Sequence, residues 1–169
     1  MKFIETVIDG KTIKSPHFLG TGSAAPRADF PTQERHSVVV IIKNLETDEY
    51  LCVDAKTQDC KSFVMGGVEA GETPEQAALR EVQEETGYDD IEIDSVSDFT
   101  VTNHFFAAYK NLNRYAYLKF VYGHLRTDRR CEVPQKEKTK QSTLWVPHAE
   151  LLDFLNVEMC RWAAEELKY

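Results

Sequence analysis

"GGVEAGETPEQAALREVQEETGY", residues 66–88, is the stretch whose reading decides the fold. It starts as a glycine-rich loop and continues as a helix with both ends marked. Thr73 is a good N-cap, Pro74 suits the first helical position, and Gln76 completes an S/T-x-x-E/Q capping box. Ala77, Ala78 and Leu79 have high helix propensity, and Gly87 is a natural stop. On a wheel of about 100° per residue, Glu75, Ala78, Leu79, Val82 and Thr86 share an arc predicted to face the core. Glu81 and Glu85 lie beside that arc, one turn apart, with Glu84 next to them and farther out. Carboxylates at i, i+3 and i+4 repel one another, more strongly as the effective dielectric falls.

Two readings of the acids compete: a solvated charged face, or a site that holds a cation. The acids border the apolar arc instead of opposing it, and the helix has no lysine to pair with them. Gly66, Gly67 and Gly71 let the preceding loop bend tightly, so its carbonyls can join the carboxylates around an ion. Such hard oxygen donors suit Mg²⁺, Mn²⁺ or Ca²⁺ better than zinc.

The rest of the chain fits one globular domain. Its 169 residues are 42% hydrophobic and 11% aromatic, which excludes a disordered protein. A net charge of −8 argues against non-specific coating of nucleic acid or anionic membrane. Cys52, Cys60, Cys131 and Cys160 form no C-x-x-C pair, so the common zinc spacing is absent and reduced thiols are expected. "MKFIETVIDGKTIK" has no apolar core of signal-peptide length, and Val38 to Ile42 is far too short for a membrane span. A cytoplasmic location is the expectation.

Outward from the helix, "KFIETVI" and the turn "DGK" predict an edge hairpin. Residues 15–35, rich in Pro and Gly, predict a long loop or arm. "HSVVVIIKN" reads as a strand buried on both faces. "LETDE" is a turn, "YLCVDAK" the returning strand, and "KSFVMGG" a strand entering the glycine loop. Strands are expected over "IEIDSVSDFTV" and "YAYLKFVYGHL". A polar loop follows from Arg126 to Ser142, then a strand "TLWV". Helices are expected over "PHAELLDFL" and "VEMCRWAAEELK", with Asn156 as a cap between them. Strands interleaved with helices predict an α/β architecture around a mixed sheet. The organisation expected is a hairpin and arm over 1–36 and the main domain over 37–169.

Gly66, five residues, Glu72, seven residues, then Arg80-Glu81-Val82-x-Glu84-Glu85-x-Gly87-Tyr88 resembles the box of the Nudix hydrolase family. The last position departs from the pattern: the family prefers an aliphatic residue and this chain has Tyr88. "LWVPHAEL" is similar to the family's late W-x-P segment. The resemblance implies a Nudix-type α/β/α sandwich with a central mixed β-sheet. It also implies hydrolysis of a nucleoside diphosphate linked to another group, with Mg²⁺ or Mn²⁺. Glu81, Glu84 and Glu85 then hold metal, the Met65 position contributes a backbone carbonyl, and Arg80 orients the acids, through Glu72. Metal ions would neutralise the pyrophosphate and activate water, and a remaining carboxylate would take the proton. Glu81 and Glu137 are the candidates for that base, with Glu132 behind them. The alternative is a non-catalytic module of the same fold that senses a nucleotide or contacts a protein. "ERHSVVVIIKN", "YLCVDAK", "KSFVMGGVE" and "NRYAYL" also resemble the Nudix module inside some bacterial leucyl-tRNA synthetases. That implies an N-terminal arm derived from, or docking to, a larger assembly.

Substrate candidates come from two stretches and one pair. "HFFAAYKNLNRY" offers His104, Phe106 and their ring neighbours for stacking, and Arg114 for a phosphate, against a bland role in the core. Arg35, beside His36, precedes the first central strand. "HLRTDRRCEVPQKEKTK" is locally basic and suits either distal phosphates or simple solubility. The markers of ADP-ribose, dinucleoside polyphosphate and NADH hydrolases are missing, so the leaving group is unassigned. A nucleotide-type small molecule is the expected ligand. A homodimer formed through the hairpin is the expected assembly if there is one.

Overall fold

The computed structural model describes residues 2–8, 10–55 and 59–166, without the side chains of Lys136 and Glu137. The described elements are β1 (Lys2–Ile8), β2 (Lys11–Leu19), β3 (Thr32–Asn44), β4 (Glu49–Ala55), β5 (Cys60–Gly67) and α1 (Pro74–Thr86). They continue as β6 (Ile91–Val96), β7 (Val101–Ala107), β8 (Leu112–Leu125), α2 (Gln135–Lys140), β9 (Ser142–Pro147), α3 (Leu151–Phe154) and α4 (Glu158–Glu166). The class is α/β with a mixed sheet: β2 and β7 pair in parallel, while β1–β2, β7–β8 and β4–β9 are antiparallel. No helix among the described residues is long and apolar enough to cross a membrane.

The chain packs as two compact units, Met1–Ser37 with Ser97–Lys119, and Val38–Val96 with Phe120–Tyr169. In the first, strands run in the order β1-β2-β7-β8. The hairpin turns at Gly10, whose φ of 75° suits a residue without a side chain. The expected long arm is shorter than its composition suggests. β2 continues through Ser15 and Pro16 to Leu19 because Ser15 is buried and its hydroxyl donates to the Thr100 carbonyl at 2.7 Å. A proline is tolerated in such a strand where its missing N–H breaks no ladder bond. β3 likewise starts at Thr32, before the apolar run that marks it in the sequence.

In the second unit the strand order is β6-β8-β3-β5-β4-β9. Val38 to Ile42 are all buried, as a strand covered on both faces requires. One face (Val38, Val40, Ile42, Leu51, Val53, Val64) packs on Ala77, Ala78 and Val82 of α1. The opposite side meets α4, where Phe120 contacts Trp162 edge-on and the Met65 and Cys160 sulfurs lie 4.0 Å apart. Each buried aliphatic side chain contributes roughly 1.5–3 kcal/mol, so this layer holds the box helix in place.

Four other expectations are corrected. "IEIDSVSDFTV" is two strands, broken between Val96 and Val101; in the first unit Lys119 Nζ donates to the carbonyls of Ser97, Asp98 and Phe99 at 2.9–3.0 Å. The polar stretch after Arg126 contains the short helix α2. Asn156 is no helix cap; its side chain brackets the start of β5, accepting from Lys61 N and donating to Asp59 O, each at 2.8 Å. In α1 the buried residues are Ala77, Ala78, Val82 and Thr86, while Leu79 is 41% exposed and Glu75 is exposed. The helix is rolled so that Glu81 and Glu85 turn inward, and the small Ala77 permits that approach.

Candidate functional site

Local signals place the loop and the helix. Thr73 Oγ1 accepts from Gln76 N at 3.3 Å, and Thr73 N donates to Gln76 Oε1 at 2.9 Å, closing the capping box. Pro74 opens the helix and Gly87 ends it in the left-handed conformation, φ 83°. The loop before it is tied by Glu69 N donating to Glu72 Oε2 at 2.8 Å.

Arg80 is the centre of the constellation. Its Nε and Nη2 donate to the two Glu72 oxygens at 2.7 and 2.9 Å. Nη2 also reaches the Gly67 carbonyl at 2.7 Å, and Nη1 reaches Glu81 Oε1 at 2.8 Å. Glu84 Oε2 stands 3.5 Å from Nη1. One planar fork therefore joins the end of β5, the loop and the helix, which the compact ammonium of a lysine cannot do. The bonds from Arg80, then that from the Glu69 amide, hold the Glu72 carboxyl at about 2, below its ordinary 4.5. Its carboxylate partners, Glu72 foremost, push the Arg80 pKa up in turn.

The acids differ in setting. The Glu81 side chain is 12% exposed and that of Glu84 is 54% exposed. Glu85 is half-buried, and its carbonyl accepts from Thr143 Oγ1 at 3.5 Å. A Cβ built on Gly66 would lie 1.9 Å from Glu81 Cδ and 2.2 Å from its Oε1. The carboxylate thus occupies the space that any other residue at position 66 would fill. Met65 turns its side chain to Cys160, with the two sulfurs 4.0 Å apart.

Among the described residues no group of three or more His, Cys, Asp or Glu side chains converges closely enough to hold a metal ion by itself. The donor set nevertheless fits a hard cation: all-oxygen acids on one helix, a glycine cradle against Glu81 and nearby backbone carbonyls. Mg²⁺ keeps waters and takes substrate phosphate oxygens, so a partial protein shell is what it uses.

The other sequence candidates stand in different surroundings. Arg114 is 5% exposed and donates to Gln33 Oε1 at 3.0 Å. Phe106 is 5% exposed, edge-on to Phe30 at 4.9 Å, with the Arg27 guanidinium 3.7 Å over its ring. Both are core residues of the first unit. His104 is half-buried beside Tyr115 at 5.4 Å; burial lowers its pKa, and its enclosed Nε2 has no hydrogen-bond partner among the described residues. Arg35 is half-buried on β3 and His36 stacks on Tyr117. The side chain of Glu137 lies outside the described residues, and Glu132 is exposed.

Sequence reasoning missed a second knot, at the far end of the helix. Tyr88 is 1% exposed, its hydroxyl accepts from Trp145 Nε1 at 2.6 Å, and Arg130 Nη2 donates to the same oxygen. The signal was present: an aromatic residue with a polar tip where an aliphatic one is usual.

The NUDIX domain profile matches residues 33–165. None of the curated proteins matches the sequence significantly. Among solved structures, the dihydroneopterin triphosphate pyrophosphohydrolase of E. coli aligns with a TM-score of 0.58 at 22% identity, covering 78% of this chain and 93% of its own. A NUDIX-family hydrolase from Clostridium perfringens gives 0.55 at 17%, covering 80% and 99%. A MutT from a study of the Aliivibrio salmonicida and Vibrio cholerae proteins gives 0.50 at 25%, covering 79% and 96%.

Proposed function

We infer the reaction from membership: the chain belongs to the Nudix family, whose profile spans most of it, and it is a pyrophosphohydrolase acting on phosphoanhydride bonds. The reading proposed beyond this is divalent-metal-dependent hydrolysis of a nucleoside diphosphate linked to another moiety, with water attacking phosphorus. The observation that carries it is the Arg80 fork, which fixes Glu72, Glu81 and the Gly67 carbonyl in one rigid set beside the exposed Glu84. A purely solvated acidic face has no use for that bracing.

Glu81, Glu84 and Glu85, with the Met65 carbonyl, would hold Mg²⁺ or Mn²⁺. When bound, such ions neutralise the diphosphate, lower the pKa of water and clamp the entering and leaving oxygens. Arg80 keeps Glu81 aimed, and Glu72 keeps Arg80 in place. Glu81, far more enclosed than Glu84, suits the role of proton acceptor, because its lone pairs are shielded from bulk water. Glu84, half in solvent, is accessible to an ion arriving with substrate.

The test is a panel of nucleoside diphosphate derivatives with Mg²⁺ or Mn²⁺, scored for released phosphates, run beside Glu84→Gln and Glu85→Gln. Turnover of at least one compound that both variants lose is the expected result. Full turnover by both variants would sink the metal assignment.

A further inference from the structure

The box helix is fastened at both ends, and the Arg80 fork accounts for the first fastening. The last turn carries Glu84 and Glu85 and has no basic residue. Carboxylates at the negative end of a helix dipole loosen such a turn instead of holding it. The last carbonyls of a helix also have no partner within it. What holds this turn must therefore come from outside the helix.

The outside contacts come from two directions. From β9, Thr143 Oγ1 donates to Glu85 O at 3.5 Å, and Trp145 Nε1 donates to the Tyr88 hydroxyl at 2.6 Å. Thr143 and Trp145 are two residues apart on the strand, so one face of β9 meets both. That strand is itself fixed, because Thr143 pairs with Val53 and Trp145 with Leu51 of β4. From the other direction Arg130 donates to the same Tyr88 oxygen, with its guanidinium 4.1 Å over the ring. A cation thus stands beside the helix end, where the helix supplies none of its own. The backbones follow suit: Tyr88 and Arg130 form a bridge, and Cys131 N donates to Gly87 O at 2.8 Å. The Tyr88 ring lies in the same buried cluster as Val82 of the helix and Leu51 and Val53 of the sheet.

We propose that Tyr88 is a positioning residue for the metal: its hydroxyl, gripped by Trp145 and Arg130, fixes the last turn of the box helix and so aims the Glu85 carboxylate. This rests on the reading of Glu85 as a metal ligand given above. The Arg80 fork steadies Glu72 and Glu81 from the loop side, and Tyr88 steadies Glu85 from the far end of the helix. Without the hydroxyl, Trp145 Nε1 and the guanidinium lose the acceptor they share, and the turn opens more often. A metal must then close it again, so its apparent affinity falls with the fraction of chains in which the turn is closed.

The experiment uses the full chain and Mn²⁺ alone, without substrate. Tyr88→Phe keeps the ring and its burial, and Trp145→Phe removes the donor on the other side of the same bond. In both, hydrogen exchange at the Gly87 amide, which donates to Gln83 O, should speed up. Mn²⁺ affinity by calorimetry should fall about three- to tenfold, the equivalent of roughly one net hydrogen bond. The double variant should lose little more than either single change, and Tyr88→Phe should add little in a Glu85→Gln background. Arg114→Met, a change in the core of the first unit, is the control for lost stability and should leave Mn²⁺ affinity as it was. Unchanged Mn²⁺ affinity in Tyr88→Phe, where Glu85→Gln lowers it, would overturn the proposal alone. So would unchanged exchange at Gly87, full additivity with Glu85→Gln, or an equal loss in Arg114→Met. If Glu85→Gln binds Mn²⁺ as tightly as the native chain, the metal reading of Glu85 fails first and takes the proposal with it.

Discussion

Gly66→Ala tests the site at its tightest point. The new methyl would lie 1.9 Å from Glu81 Cδ, 2.1 Å from Cγ and 2.2 Å from Oε1. Those distances are below any non-bonded contact, so one group must leave. Backbone at residue 66 is fixed in β5, whereas Glu81 ends in a rotatable carboxylate, so Glu81 moves. It then loses the 2.8 Å bond from Arg80 Nη1, while Arg80 keeps both Glu72 oxygens and the Gly67 carbonyl. The stability cost is that of one charge-assisted hydrogen bond, about 1.5–3 kcal/mol. For a chain of this size that is a fall in Tm of roughly 3–12 °C.

The functional cost is larger, because the displaced group is the proposed base. Removing a positioned base costs about 10²–10⁴-fold. Thermal unfolding and turnover should therefore part company, with a mild shift in the first and a collapse of the second. A double-mutant cycle makes the cause explicit. In a Glu81→Ala background the three nearest atoms, all from the Glu81 side chain, are gone, so Gly66→Ala should cost under about 0.5 kcal/mol there. If it costs as much with Glu81 absent as with it present, the clash is not the mechanism and the placement of Glu81 over Gly66 is wrong.

Other outcomes follow from the same geometry. Glu72 is held ionised down to a pKa of about 2 against an ordinary 4.5; a depressed carboxylate stabilises the fold above its unfolded value, so the stability gap between the native chain and Glu72→Gln should be full near pH 6 and close as pH falls from about 4.5 toward 2 in urea titrations. Arg114→Met should lower stability by about 1–3 kcal/mol, since it empties a buried polar contact with Gln33, while leaving KM of the folded fraction unchanged; a selective rise in KM would return Arg114 to substrate binding. Saturating Mn²⁺ should raise Tm by mass action, about 2.7 kcal/mol at a hundredfold excess over Kd, and Glu84→Gln should abolish most of that gain.

Much of this was legible because it is local. The capping box of Thr73 and Gln76, the stop at Gly87 and the doubly buried run Val38 to Ile42 each follow from a few neighbouring residues, and all stand as read. The Arg80 to Glu72 bond was legible only through the spacing of the Nudix box. The roll of α1 was not legible. A wheel drawn by hydropathy centres on Leu79, but the sheet accepts Ala77 and the loop accepts Glu81, and Leu79 turns out to solvent. Nor was the fate of the cations. In sequence Arg129, Arg130 and Arg114 stand between phosphate binding and a bland role, because their partners Asp89, Tyr88 and Gln33 lie far away along the chain. A charge without its counter-charge cannot be assigned from one segment.

The Arg80 geometry has a consequence for the order of events. The Arg80 guanidinium offsets the repulsion among the acids: Glu81 is bonded to it and Glu84 stands 3.5 Å away. A metal that takes either carboxylate competes with a cation already in place. Because Arg80 has Glu72 and the Gly67 carbonyl to fall back on, releasing Glu84 costs little, as its contact is long and half in solvent. Releasing Glu81 costs a short, largely enclosed bond. The structure therefore ranks the acids, with Glu84 yielding first and Glu81 last. Ion binding by the chain alone should be weak, and it should tighten when phosphate oxygens add ligands and offset the cost of drawing Glu81 away from Arg80. Calorimetry of Mn²⁺ with and without a non-hydrolysable diphosphate would measure that coupling, which must be reciprocal. Equal Mn²⁺ affinity in both cases would mean that Arg80 does not hold the acids back.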